Sequence, residues 1–247
     1  PLLDAAREAI DLGTPISFDL PIRNTERAVG TLLGHTVTTR HGADGLPDGT
    51  IDIALHGTAG QSLGAFLPRG ISLRLEGDAN DYVGKGLSGG EISIRPHQAA
   101  TFAPHQNVIA GNVIGYGATS GTIHISGVVG ERFLVRNSGA TAVAEGVGDH
   151  ALEYMTGGVA VILGSTGRNL GAGMSGGIAY IRDLRTERIN PLSLASELEL
   201  LPLDEVDAQE LRELLTQHVE RTGSPLAAEI LADDDFAASF TKILPRD

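Results

Sequence analysis

No cysteine occurs among the 247 residues, which excludes disulfides, thiolate metal sites, cysteine-ligated iron–sulfur clusters and a cysteine nucleophile. Tryptophan is also absent and aromatics are only 4% of the chain, so a core drawn from its 41% apolar residues must be aliphatic. Positive charge is scarce. Eighteen basic residues face 31 acidic ones, and the resulting net charge of −13 repels phosphate backbones and anionic lipid, making nucleic acid and membrane surfaces poor partners. No apolar run approaches the roughly 18 residues of a spanning helix, and the opening PLLDAAREAI lacks a basic-then-apolar signal pattern. A soluble, cytoplasmic protein is expected, and Pro1 in place of an initiator methionine suggests a piece of a longer chain.

Glycine is abundant, and 26 of the 33 glycines lie between Ile51 and Ile181. They mark an internal repeat. Gly57, Gly77, Gly127, Gly146 and Gly164 each close a short alternating run: IDIALHG, ISLRLEG, TIHISG, ATAVAEG and VAVILG. These anchors stand 20, 50, 19 and 18 residues apart, and the long gap holds another strand-like run, EISIRP, then an insertion from His97 to Gln106, then VIAG. Such a pattern predicts an all-β solenoid with repeats near 20 residues and the five anchor glycines at corners where φ > 0 is needed. Two places before the anchors stand Leu55, Leu75, Ile125, Ala144 and Ile162, and four places before stand Ile53, Leu73, Ile123, Ala142 and Ala160, giving two inward aliphatic stacks. Between them, His56, Arg74, Glu76, His124 and Ser126 read as a wetted outer face. Later coils carry Val143, Val159, Val161 and Leu163 there, so that face is expected to be covered by the chain's own helices or by another domain.

Three segments of one structural domain follow: a mixed helical and strand leading segment over 1–50, the β-helix over 51–183, and an acidic helical segment over 184–247. Leu3 to Leu12 reads as a helix ending at Gly13, ISFDLP as a strand, and Glu26 to His41 as partly helical. Asp204 is placed to cap EVDAQELRELLTQHVERT with Gly223 as its stop, and Ser224-Pro225 to open a shorter helix through Leu231.

Chemical motifs occur, each with a structural alternative. Gly86-Leu87-Ser88-Gly89-Gly90 and Gly173-Met174-Ser175-Gly176-Gly177 match G-x-S-x-G, but strands follow where a nucleophile elbow needs a helix, and Ser138 occupies the same repeat position. Gly115-x-Gly117-x-x-x-Gly121 and Gly84-Lys85-Gly86 resemble nucleotide loops without the crossover helix or the G-x-x-x-x-G-K spacing. Asp149, His150 and Glu153, or His97 and His105, hold metal-capable side chains in the absence of a standard ligand pattern; a hydrogen-bonded corner and a surface loop are the plainer readings. No catalytic, cofactor-binding or metal-binding residue is assigned. Arg23 and Asn24, in the polar block after the first strand, together with Val143 and Val161, are the candidate interdomain contacts.

The strings GDANDYVGKGLSGG (77–90), GERFLVRNSGATAVAEGVGDHALEYMTGG (130–158) and GRNLGAGMSGG (167–177) closely resemble the C-terminal domain of glutamate synthase large subunits, as do DLPIRNTERAVG (19–30), GLPDGTI and LPRD. The resemblance implies a right-handed parallel β-helix inside an enzyme that makes two glutamates from glutamine and 2-oxoglutarate. It also implies an N-terminal glutaminase domain that passes ammonia through a tunnel to a synthase domain holding FMN and a 3Fe–4S cluster, with a small reductase subunit as a further candidate partner. No catalytic residue carries over, because the family's catalytic and cluster cysteines have no counterpart here. Leu152 stands where relatives are expected to have cysteine, and the usual tail beyond PRD is missing. A stand-alone scaffold subunit, like those of formylmethanofuran dehydrogenase complexes, and a serine hydrolase using Ser88 or Ser175 are the alternatives. The isolated chain is expected to bind neither FMN nor an iron–sulfur cluster. A reconstituted sample should show no visible absorbance, and a stoichiometric flavin spectrum would refute this.

Overall fold

The computed structural model describes residues 2–246. Eleven strands form one sheet system: β1 (Ile16–Ile22), β2 (Ile51–Ala59), β3 (Ile71–Ala79), β4 (Ser88–Arg95), β5 (Val108–Ala110), β6 (Ser120–Val129), β7 (Ser138–Val147), β8 (Thr156–Ile162), β9 (Gly176–Arg182), β10 (Leu198–Pro202) and β11 (Phe240–Pro245). From β1 to β9 neighbours pair in parallel, giving a β-solenoid of about seven turns, and antiparallel β11 and β10 then close its far edge. The insertion splits one coil, so β4 is resumed by β5, which pairs with both β3 and β6.

Both inward stacks form in register. Ile53, Leu73, Ile92, Ile123, Ala142, Ala160 and Ala179 align strand by strand, and beside them Leu55, Leu75, Ile94, Ile125, Ala144, Ile162 and Ile181. All are buried in one continuous core. Where Ala142 and Ala144 thin these stacks, the same coil carries Phe133, the bulkiest fully buried side chain of that core. A large buried residue in the same coil helps fill the volume that the small ones leave.

The anchor glycines are not corners. Gly57, Gly77 and Gly127 have φ of 131°, 150° and 143° but lie inside β2, β3 and β6, while Gly146 and Gly164 do not take a left-handed φ at all. What most of them share is close backbone approach: a Cβ on Gly77 would collide with the Gly57 carbonyl, and one on Gly57 with the Ile22 carbonyl. Gly146 is roomier, its nearest neighbours being a Val128 methyl at 3.1 Å and Ser165 at 3.3 Å.

The corners are arches in which φ is positive at every second residue, as in Ser62-Gly64-Phe66, Tyr82-Gly84-Gly86, Arg132-Leu134-Arg136 and His150-Leu152-Tyr154. Eleven of the thirteen described non-glycine residues with positive φ belong to six such arches. Each costs on the order of 1–2 kcal/mol relative to glycine. Inter-coil hydrogen bonds offset that cost. The outer N–H groups of an arch reach the next coil (Ser62 to Asp81 O, Phe66 to Lys85 O, both 2.8 Å), and the middle one reaches back (Gly84 to Leu63 O, 2.9 Å).

Six helices flank the coils: α1 (Leu2–Ala5), α2 (Arg7–Leu12), α3 (Thr31–His41), α4 (Pro191–Ser196), α5 (Glu205–Thr222) and α6 (Pro225–Leu231). The single leading helix expected over Leu3 to Leu12 is two short ones, and the second helix starts only at Thr31. α5 is capped by Asp204 and stops at left-handed Gly223, as the sequence predicts, and Asp207 completes a reciprocal capping box. The outer positions Val143, Val161 and Leu163 lie fully buried with Tyr180, Leu211, Leu215 and Ala227, forming a second core beneath α5 and α6. The chain's own helices are therefore the cover, and Val143 and Val161 are corrected from interdomain contacts to internal packing. Gly77→Ala should cost about 2–4 kcal/mol through overpacking and strain, and Gly146→Ala under about 1 kcal/mol. Urea unfolding of the two variants checks this, and equal losses would refute the close-approach account.

Candidate functional site

A polar cluster sits at the seam between the coils and the helices. β6 contributes His124 and Ser126, β7 contributes Glu145, and α5 contributes His218; all four are buried. One oxygen of Glu145 accepts hydrogen bonds from Ser126 Oγ at 3.0 Å and Ser224 Oγ at 2.5 Å. Ser224 has two tasks, since its Oγ also accepts from Ala227 N at 3.0 Å and so caps α6. His218 Nε2 stands 3.6 Å from the same Glu145 oxygen, and the His124 and His218 rings lie 5.5 Å apart. Among the described residues, Glu145 Oε2, His124 Nδ1 and both His218 nitrogens have no hydrogen-bond partner. Burial, then repulsion from His218 and Arg221, pushes the His124 pKa down to about 3.

Sequence reasoning placed His124 and Ser126 on a wetted face and gave Glu145 no role. The available signal was position: Val143 aligns with His124 in the next coil, and a lone acid interrupts the apolar run ATAVAEG.

A second seam contact lies at the start of α5. The Tyr180 hydroxyl is 3.0 Å from Asp207 and 2.6 Å from Glu210, and Lys242 Nζ donates to Asp207 at 2.6 Å. Burial opposes ionisation of Asp207, but hydrogen bonds from Lys242, its capping partner and Tyr180 outweigh it and hold its carboxyl below the usual range. Burial and these two carboxylates push the Tyr180 phenol upward.

The motifs singled out in sequence resolve into structural contacts. Ser88 and Ser138 donate to Leu67 O and Ala118 O of the preceding coil and start strands. The backbone N–H groups of Gly84, Gly86, Gly115 and Gly117, which a phosphate would need, are taken by Leu63, Tyr116, Val83 and Val135 carbonyls. His150 Nδ1 lies 2.7 Å from Glu153, which also accepts from Asn169, while Asp149 is bound by Arg168. His97 stands 3.7 Å from Glu76, and His105 has only a 3.4 Å contact with Gln106. Among the described residues no three or more metal-capable side chains gather into one site. Arg23 and Asn24 are exposed at the end of β1, where Arg23 N donates to Glu26 at 2.8 Å.

The family model for the GXGXG motif matches residues 1–246. The chain belongs to the GXGXG family. It is 50% identical over its whole length to glutamate synthase [NADH] of Schizosaccharomyces pombe, covering 12% of that protein. It is 45% identical over 99% of its length to the glutamate synthase [NADPH] large chain of Bacillus subtilis, covering 16% of it. Ferredoxin-dependent glutamate synthase 2 of Synechocystis is 47% identical over 97% of the chain, which again covers 15% of the relative. The chain thus spans about one eighth to one sixth of these proteins, the extent of a single domain among several.

Within this GXGXG domain the seam cluster makes a pH-dependent contribution. The folded-state pKa of His124 is depressed, so the unfolded chain takes up the proton first. The stability contributed by neutral His124 is fully present above about 6.5, its unfolded value, and is lost as pH falls from there toward about 3. Melting temperature should therefore drop between pH 7 and pH 5, and His124→Asn should flatten that part of the profile. An unchanged slope in the variant would show that His124 does not carry it.

Proposed function

We propose that the chain is the structural β-helix domain of a glutamate synthase, holding the glutaminase and FMN synthase domains in register while ammonia passes between them and performing no chemistry itself. The observation that carries this reading is that the glycine loops at Gly84–Gly86 and Gly115–Gly117 and the hydroxyl of Ser88 spend their donors on neighbouring coils. FMN and a 3Fe–4S cluster do not fit this chain, which has no cysteine and whose phosphate-loop-like N–H groups at Gly84, Gly86, Gly115 and Gly117 are already taken, and both belong to the neighbouring synthase domain. Similar sequences in enzymes named for NADH, NADPH and ferredoxin support a role common to all three rather than one in choosing the electron donor. A small reductase subunit is the further partner. The stand-alone-subunit and hydrolase readings have no comparable support.

Arg23 and Asn24 keep their candidacy as interdomain contacts, being exposed and lightly held. Small displacements of catalytic groups can cost up to about a hundredfold in rate, so a scaffold acts on coupling before chemistry. In the full-length large chain, Arg23→Glu should lower glutamine-dependent glutamate synthesis roughly threefold or more while glutaminase turnover and flavin reduction stay within about twofold. A wild-type ratio of glutamine hydrolysed to glutamate formed would remove this contact from the coupling role.

A further inference from the structure

The arches carry an exposed ridge of aromatic and cationic side chains. The chain has ten phenylalanines and tyrosines in all, and four of them, Phe66, Tyr82, Tyr116 and Tyr154, sit on four of the first five arches, the fourth arch carrying Arg136 instead. Phe66 and Tyr154 are 54% and 57% exposed. Each ring lies across the backbone of the next coil, so a Cβ on Gly86 would come within 2.5 Å of the Phe66 ring and one on Gly173 within 2.7 Å of Tyr154. One ring face is seated on glycine and the other is open.

Backbone conformation sharpens the point. Phe66, Arg136 and Tyr154 hold the third left-handed position of their arches, with φ of 58°, 57° and 52°, where three other arches use Gly86, Gly117 and Gly173. Glycine there would relieve on the order of 1–2 kcal/mol of strain per site, so the fold bears a cost to display these side chains. Lys85 lies about 6 Å from the Phe66 and Tyr82 ring centres, and Arg136 lies 6.0 Å from that of Tyr154. Neither cation has an ion-pair partner among the described residues, although the chain as a whole carries a charge of −13. The ridge crosses five coils, a span of about 19 Å at about 4.8 Å per step.

We infer that this ridge is the surface on which another part of the same large polypeptide docks, through a contact apolar at its centre and supplying carboxylates opposite Lys85 and Arg136. The inference rests on the scaffolding reading and names its surface. Aromatic and arginine anchors of this kind concentrate binding energy in interfaces. The relatives are six to eight times longer than the chain, so a covalently attached partner is present at high effective concentration.

The test is hydroxyl-radical footprinting of the full-length large chain, comparing labelling of Phe66 and Tyr154 in the native and the urea-unfolded protein. Burial within an interface that excludes water should lower native labelling roughly tenfold or more. A drop of only about twofold, which the 54% and 57% exposures alone produce, overturns the inference. The measurement is repeated on dilution until sizing detects a single large chain; protection that persists supports docking within one chain, and protection that vanishes assigns the ridge to a second copy and overturns it. Footprinting involves no turnover, so an unprotected ridge beside impaired coupling in Arg23→Glu removes only the ridge. A protected ridge beside unaltered coupling in that variant removes only Arg23 from the coupling role and leaves the ridge in place.

Discussion

The hydrogen bonds between successive arches are the interaction on which the rest of this molecule depends. In the first five arches the outer N–H groups point to the coil ahead and the middle one to the segment behind, with a left-handed φ at every second residue. Corner backbone, the part of a solenoid most prone to stranding polar groups, is thereby paired as regularly as a sheet. The strain at Leu134, Leu152 and their like is tolerated because the bonds on both sides over-determine the conformation. The same pairing occupies the N–H groups of Gly84, Gly86, Gly115 and Gly117, and so it also explains why these glycine loops do not cradle a phosphate. At the last arch the ladder passes to other elements: Gly173 N donates to Ser193 Oγ at 3.2 Å and Leu170 N to Arg188 O at 2.9 Å.

Along the rod the inner face stays constant while the outer face changes. The inner stacks are aliphatic in every coil, but the outer row runs from Ala54, Arg74 and Ser93 through His124 to Val143, Val161 and Tyr180. Early outer charges pair across coils in water, as when Arg74 grips Asp52 with bonds of 2.8 and 2.6 Å. Exposed pairs of this kind contribute about 0–1 kcal/mol. Later outer residues are buried under helices and contribute hydrophobic stabilisation instead. His124 stands at the changeover, which is why it is both buried and poorly partnered.

The strands were legible from sequence because burial on one face enforces a period of two, and the repeat then aligned Ile53 with Leu73 and Leu55 with Leu75. The helix caps were legible because Asp204, Gly223 and Ser224 act within a few residues of their own positions. The arches were not. Ser62, Tyr82, Val113, Arg132, His150 and Asn169 share a left-handed φ but no chemistry, so composition carries no trace of a conformation imposed by neighbouring coils. The anchor glycines were found for the wrong reason: Gly77 is required by the Gly57 carbonyl facing it, a contact between residues twenty apart, and not by a corner. The seam was half legible, since the apolar outer positions announced a cover, while the pairing of Glu145 with Ser224 spans 79 residues and has no local signature.

Nearest-neighbour stacking alone would leave a rod in which each coil answers only to the next. α5 changes that. Its 18 residues extend about 27 Å, enough to cross the roughly 19 Å between β4 and β9. Polar contacts hold it in its first turn and along its last two turns. Asp207 in its first turn meets Tyr180 of β9 and Lys242 of β11, His218 meets the Glu145 cluster of β7, and Arg221 in its last turn stands 2.9 Å from Glu91 of β4. Apolar burial beneath the helix supplies adhesion without direction, whereas the Asp207 and Arg221 contacts at its two ends fix its register against particular coils. A brace that ties distant coils together couples coils that nearest-neighbour stacking leaves independent.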